Sequence, residues 1–367
     1  MSTSLPNIRL SVAAVATLIA TAAAFAIWRA CGGPRSTVIV TVDPGVEAET
    51  TWDGKEALVV DPVAGFRPRR SSTQRMPMAA LDGVAPEEIV KRRDAHGFLR
   101  DDELPATLDR PAVLVVGDSH VDGVVSTAEN FTSLLEARFA GSGEACRVLN
   151  AGCGLYGLWQ SVLRARDLLP RWRPKLVVVV VFLGNDFLDL ENPTGPHLDD
   201  ALRELAGGER TEPETTSARE RELALPTLFS QLFWQGLNQA AYLRGAQERV
   251  DVLARKAAHA VETMETAAAA QGAKVLWVLL PSFDLVFPDK VAALGGRIKE
   301  TVESGAQRRM RDAFTVVLAS RAVVDLEPVF RADGALGLYA IDFHVFRRGH
   351  QRIAEALEAP IRDVVTR

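Results

Sequence analysis

The chain has 367 residues, of which 47% are hydrophobic and 24% charged, a globular balance rather than a disordered one. Its formal net charge of -5 offers no basic face of the kind a nucleic-acid binder needs. Six His and three Cys are too scattered for a zinc framework, and Cys31, Cys146 and Cys153 lack CxxC spacing.

The first feature in chain order is a nearly unbroken apolar run from Leu10 to Trp28, bracketed by Arg9 and Arg29. About 20 apolar residues cross a bilayer core, so the run is just long enough. It is longer than the roughly 7–15 apolar residues of a signal peptide. Residues 1–35 therefore read as an uncleaved signal anchor, an N-terminal transmembrane helix that makes the membrane a partner. A cleaved signal peptide is the alternative, with Ala22-Ala23-Ala24 offering small residues for cleavage. Trp28-Arg29-Ala30 before Cys31 departs from a lipobox, so lipidation is not expected. The flanking charges leave the orientation open.

Residues 36–110 form a lead-in expected to pack on the main domain. Ser36–Val42 and Ala57–Val60 read as short strands. Gly65–Pro77, with Pro68 and four Arg, reads as an exposed loop. Ala85–Arg93 reads as a short helix stopped near Gly97.

The main domain, residues 111–367, opens with Ala112–Val116, an apolar run expected of a strand covered on both faces. Ala128–Phe139 has helical spacing, and Arg147–Leu149 is a second short strand. Trp159–Leu169 is a helix stopped by Pro170. Leu176–Leu183 is the strongest strand, rich in β-branched residues. Arg244–Ala270 is a long helix ending at Gly272. Lys274–Leu280 and Arg321–Leu326 are the last strands, and His350–Val365 is a closing helix broken by Pro360. Strands alternating with helices predict an α/β doubly wound, flavodoxin-like parallel sheet with helices on both faces. A charged insertion near 191–225 interrupts the order and reads as a solvated cap.

Four segments carry the chemistry. Gly117-Asp118-Ser119-His120 follows the first core strand, where open α/β sheets place their ligands. Seen alone, Ser119 reads more readily as an N-cap than as a nucleophile. Asn150 to Gly157 is a Gly-rich turn able to present N–H donors, or simply a tight turn. Gly184-Asn185-Asp186 follows the strongest strand, and the Asn185 amide can donate to an oxyanion or form a strand-ending Asx turn. In Asp342-Phe343-His344, an extended backbone would point Asp342 and His344 to the same side. Asp342 would then fix the His344 tautomer, leaving the other nitrogen for the Ser119 proton. Together these segments supply nucleophile, oxyanion donors, base and orienter for acyl transfer.

The set and its order resemble the four motif blocks of the SGNH (GDSL-like) hydrolases over roughly residues 90–360. His96-Gly97-Phe98-Leu99-Arg100, Leu279-Leu280-Pro281-Ser282 and Val324-Asp325-Leu326-Glu327-Pro328 are similar to elements of a bacterial membrane-anchored subgroup. The resemblance implies a Ser119–His344–Asp342 triad and an oxyanion hole from the Ser119 N–H, a Gly154 or Leu155 N–H and the Asn185 amide. It also implies an exported catalytic domain, periplasmic or extracellular, acting on an ester or an acetylated glycan with no metal or organic cofactor. Oligomeric state is open. Trp159, Trp234 and Phe283 are candidate sugar contacts, although each is commonly a core residue.

Two departures stand out. Leu155 occupies a place where the family usually has Gly. The orienting Asp usually lies three residues before the His, where this chain has Ile341. These departures support the alternative of a degenerate SGNH domain that binds glycan or a partner without catalysis. A dinucleotide-binding loop is excluded, because residues 117–123 lack its glycine spacing.

Overall fold

The computed structural model describes residues 39–42, 51–52, 55–82, 87–191, 195–206, 249–292, 299, 302–340 and 342–366. The expected transmembrane helix, Cys31, Trp234, Ile341 and most of the charged insertion lie outside the described residues. Among those described, no helix is long and apolar enough to cross a membrane.

The lead-in is built of strands. β1 (Ile39–Val42), β5 (Ser72–Met78) and β6 (Glu87–Arg93) form one antiparallel sheet, and β2 (Thr51–Trp52), β3 (Lys55–Asp61) and β4 (Gly65–Pro68) form another. Two expectations are corrected here. The segment read as an exposed loop at Gly65–Pro77 contains β4 and most of β5, and the segment read as a helix at Ala85–Arg93 is β6. Glu87–Arg93 alternates in burial, with Ile89, Lys91 and Arg93 inward, a period of two that its charged residues obscure. Two apolar clusters seat the lead-in on the main domain. One joins Ile89 to Val124, Val125 and Phe346. The other joins Leu58 and Phe66 to Cys153 and Tyr156.

The main domain is a five-stranded parallel sheet. Its strands are β7 (Ala112–Val116), β8 (Arg147–Asn150), β9 (Leu176–Phe182), β12 (Lys274–Leu280) and β13 (Val323–Asp325). A short hairpin, β10 (His197–Leu198) and β11 (Glu204–Leu205), stands apart from it. The order β13-β12-β9-β7-β8 is the flavodoxin-like order, in which the winding reverses between the first and third strands, here β7 and β9. Side chains alternate between two cores. Leu114, Val116, Val177, Val179 and Trp277 face α3 (Leu158–Trp172), α4 (Val250–Ala270) and α7 (Ala306–Val317). Val113, Val115, Val178, Val180 and Val278 face α2 (Phe131–Gly141) and α9 (Arg347–Val365). Burial on both faces explains the unalternated Val-rich sequence of β9.

Two helix ends also differ from expectation. Pro170 lies inside α3 and Pro360 inside α9, so neither proline stops its helix. In α3 the chain leaves at Arg173, in the left-handed region with φ 41°. The missing proline N–H and its clash are local costs, and the buried faces of both helices outweigh them.

Candidate active site

The carboxyl edge of the sheet carries the motifs. β7 runs into Gly117 and Asp118 and then into α1 (Ser119–Asp122). Gly117 is required by space: a Cβ there would meet Val121 Cγ2 at 2.4 Å and the Val180 carbonyl oxygen at 2.9 Å. Asp118 Oδ1 accepts the His120 N–H at 2.9 Å and so closes the turn that presents Ser119. Burial pushes the Asp118 carboxyl up to about 6. Asp186, which caps the end of β9 by accepting the Phe182 N–H at 2.8 Å, is pushed well above the carboxylate range by burial and by the Asp118 charge.

His344 Nε2 lies 2.8 Å from Ser119 Oγ. On the other side of the ring, Nδ1 lies 3.0 Å from Asp342 Oδ2, with 27% of the His344 side chain exposed. That contact is an ion-pair approach rather than an aligned hydrogen bond. Burial disfavours the charged ring, but the Asp342 carboxylate outweighs it, assisted by Asp118, and the His344 pKa is raised above 6.5. Asp342 is lowered in turn, because His344 outweighs its burial.

The local route to this geometry is not the expected one. The segment is not extended. Phe343 has φ 66°, and its N–H donates to the Ala340 carbonyl at 2.9 Å, forming a tight turn. The turn lets Asp342 reach the ring from only two residues away, while its Oδ1 accepts the His344 N–H at 3.2 Å. At this left-handed position the Phe343 ring packs at a tilt against Phe283, with ring centroids 4.7 Å apart. Beyond the turn, the Val345 N–H donates to His120 Nδ1 at 3.2 Å. The His120 ring also lies 4.8 Å from that of His344.

The oxyanion donors divide. The turn after β8 puts Leu155 at φ 72°, the left-handed conformation for which glycine is the usual residue. Its side chain is 39% exposed, so the Cβ meets solvent. The Gly154 N–H is directed to the Asp122 carboxylate, whose pKa it helps lower. That leaves Leu155, of the two candidates, with the uncommitted backbone donor. Asn185 is half-buried at the end of β9, and its Nδ2 donates to Asp189 Oδ2 at 2.6 Å. Asp189 was not singled out from sequence, although its spacing four residues after Asn185 is the available signal. It fixes which end of the amide is the NH2 group, and the second N–H remains for a ligand.

His350, the other histidine near the end of the chain, is fully buried, and its Nδ1 accepts the Phe131 N–H at 3.2 Å. Burial lowers its pKa to about 3. It is a packing residue. Trp159 and Phe283 are buried core residues, although Trp159 also lines a cavity with Glu204 and His259.

Ser119, His344 and Asp342 thus meet at the switch point of a flavodoxin-like sheet, between β7 and β9. No protein-family model and no curated protein matches the chain. Among solved structures it is similar to a lipase/acylhydrolase from Enterococcus faecalis, at 15% identity and a TM-score of 0.36 over 69% of this chain and 96% of that one. It is also similar to a putative lipolytic protein of the G-D-S-L family from Desulfitobacterium hafniense, at 15% identity and a TM-score of 0.36 over 68% and 99%. A third is an acetyl xylan esterase from Geobacillus stearothermophilus, at 12% identity and a TM-score of 0.36 over 70% and 97%. These likenesses are too distant to carry a function, which rests on the site's own geometry.

Proposed function

We propose that this protein is a serine esterase or acyltransferase working through an acyl-enzyme. The observation that carries the reading is the pair of contacts on the His344 ring, 2.8 Å to Ser119 Oγ and 3.0 Å to Asp342 Oδ2. His344 takes the Ser119 proton as Oγ attacks an ester carbonyl, and the Asp342 carboxylate stabilises the imidazolium. The Ser119 and Leu155 N–H groups and the free N–H of the Asn185 amide receive the oxyanion. His344 then returns the proton to the leaving alcohol. Water or a sugar hydroxyl attacks the acyl-enzyme and releases Ser119.

The substrate we propose is an O-acetyl group on an envelope or exported polysaccharide, reached by a catalytic domain held outside the cytoplasm by the N-terminal segment. The apolar run at Leu10–Trp28 and the subgroup resemblance support this part. The glycine-like conformation of Leu155 and the reach of Asp342 to His344 from the shorter spacing support this reading over the non-catalytic alternative. The test is labelling with a fluorophosphonate probe, followed by acetate release from acetylated glycans. Wild type is expected to label at Ser119 and Ser119→Ala to remain unlabelled. Folded wild type that does not label would refute the catalytic reading.

A further inference from the structure

The lead-in strand β6 reaches the active site. Lys91, with a side chain only 4% exposed, places Nζ 2.5 Å from Asp122 Oδ1. Arg93, 7% exposed, places Nη2 2.5 Å from the same oxygen. Among the described residues neither cation has a second carboxylate within ion-pair distance, and the other Arg93 contact is Nη1 to the Gly97 carbonyl at 3.0 Å. Two basic side chains thus share one carboxylate oxygen.

Asp122 is the last residue of α1, three residues after Ser119. It touches the turn after β8 twice. Its carboxylate receives the Gly154 N–H, and its backbone N lies so close to Gly152 that a Cβ there would meet it at 2.6 Å. The carboxylate therefore joins the helix that begins at Ser119 to the turn that presents Leu155, and Lys91 and Arg93 both hold its Oδ1.

We propose that the Lys91–Arg93–Asp122 cluster belongs to the catalytic apparatus, Asp122 clasping the oxyanion turn and Lys91 supplying a fixed positive charge that favours negative charge developing in front of it. The inference rests on the catalytic reading above. A buried charge that is already in place costs no reorganisation during the reaction, and it acts strongly where water is excluded. Lys91 is also near enough to oppose protonation of both His344 and His350. For His344 this counters the pull of Asp342 and keeps more of the ring in the neutral form a base requires. Burial lowers the pKa of Lys91 itself, and Asp122 opposes that loss. Lys91, Arg93 and Asp122 are positioning residues, since none touches the reacting atoms.

The experiment measures the pH dependence of fluorophosphonate labelling and of p-nitrophenyl acetate hydrolysis in full-length wild type, Ser119→Ala, Lys91→Met and Lys91→Arg. Lys91→Met is expected to react about tenfold or more slowly with little change in KM, as for loss of an electrostatic contribution made mainly in the transition state. Its acid limb is expected to move to higher pH, because His344 loses a repelling neighbour. Lys91→Arg, which keeps the charge, is expected to restore the acid limb. A Lys91→Met protein with the wild-type rate and an unmoved acid limb overturns the inference while leaving the catalytic reading intact. Absence of Ser119-dependent labelling in wild type removes the reading itself. If Lys91→Met shows no cooperative melt, Lys91→Gln, which removes the charge but keeps a donor for Asp122, is read in the same way.

Discussion

The two halves of the proposed triad are held in different ways. Ser119 stands on a turn at the end of a buried strand, and Gly117 is wedged between Val121 and the Val180 carbonyl. His344 stands on a loop, with Phe343 at positive φ and its neighbours tied by hydrogen bonds to Ala340 and His120. The nucleophile inherits its position from the sheet. The base depends on a small set of loop contacts, so its position is the easier one to disturb without unfolding the protein. The difference is that Ser119 is placed by the sheet and His344 by a loop.

The largest expected effect comes from the fixed half. Ser119→Ala is predicted to lower kcat by about 10⁴ or more with little change in thermal stability, because Ser119 is partly exposed and its removal leaves no large cavity. Steady-state hydrolysis and a thermal melt check this. On the loop half, Asp342→Asn is predicted to cost about 10³–10⁴ in kcat and to move the acid limb of kcat/KM to lower pH. The sign follows from the raised His344 pKa, since removing the carboxylate removes the cause of the rise. An Asp342→Asn enzyme with an unchanged acid limb would show that the 3.0 Å contact does not govern the ring.

Asn185→Ala lies between the halves, at the end of β9, and is predicted to cost about 10²–10³ in kcat. Asp189→Asn tests the same amide more gently. It is expected to lower kcat by less, because it frees the amide to rotate without removing it. Kinetics on both variants at one pH distinguish the two roles.

The next effect is on stability rather than catalysis. His350 has a folded pKa near 3, far below that of an exposed histidine. Below pH 6.5 the unfolded chain binds a proton there that the folded chain does not, so stability falls as pH drops from about 6.5 towards 3. The slope is about 1.4 kcal/mol per pH unit for one such group. Replacing His350 with Gln is predicted to flatten this part of the pH–stability profile, measured by denaturant unfolding. The smallest effect is expected for Leu155→Gly. The donor is a backbone N–H and φ is already 72°, so activity is expected to persist and stability to change by about 1 kcal/mol or less.

Much of this was legible in the chain. The run of Val in β9 and the apolar strand before Gly117 fixed the parallel sheet, because a strand buried on both faces needs no polar alternation. Ser119, Asn185 and His344 were legible because each follows or sits in a short motif whose chemistry depends on few residues. Strand order, contacts between distant segments and loop dihedrals were not. β6 was read as a helix because its inward residues include Lys91 and Arg93, which hydrophobic periodicity counts as exposed. Their burial is explained only by Asp122, a carboxylate far along the chain. The Asp342–His344 contact was expected from an extended strand and arises instead from a tight turn, since the conformation of Phe343 is set by Phe283 and Ala340 rather than by its neighbours in sequence. The chain itself determined which groups were available for catalysis, through local pattern and side-chain chemistry. The tertiary structure decided which of them meet, because pairings between distant segments depend on packing that no local pattern encodes.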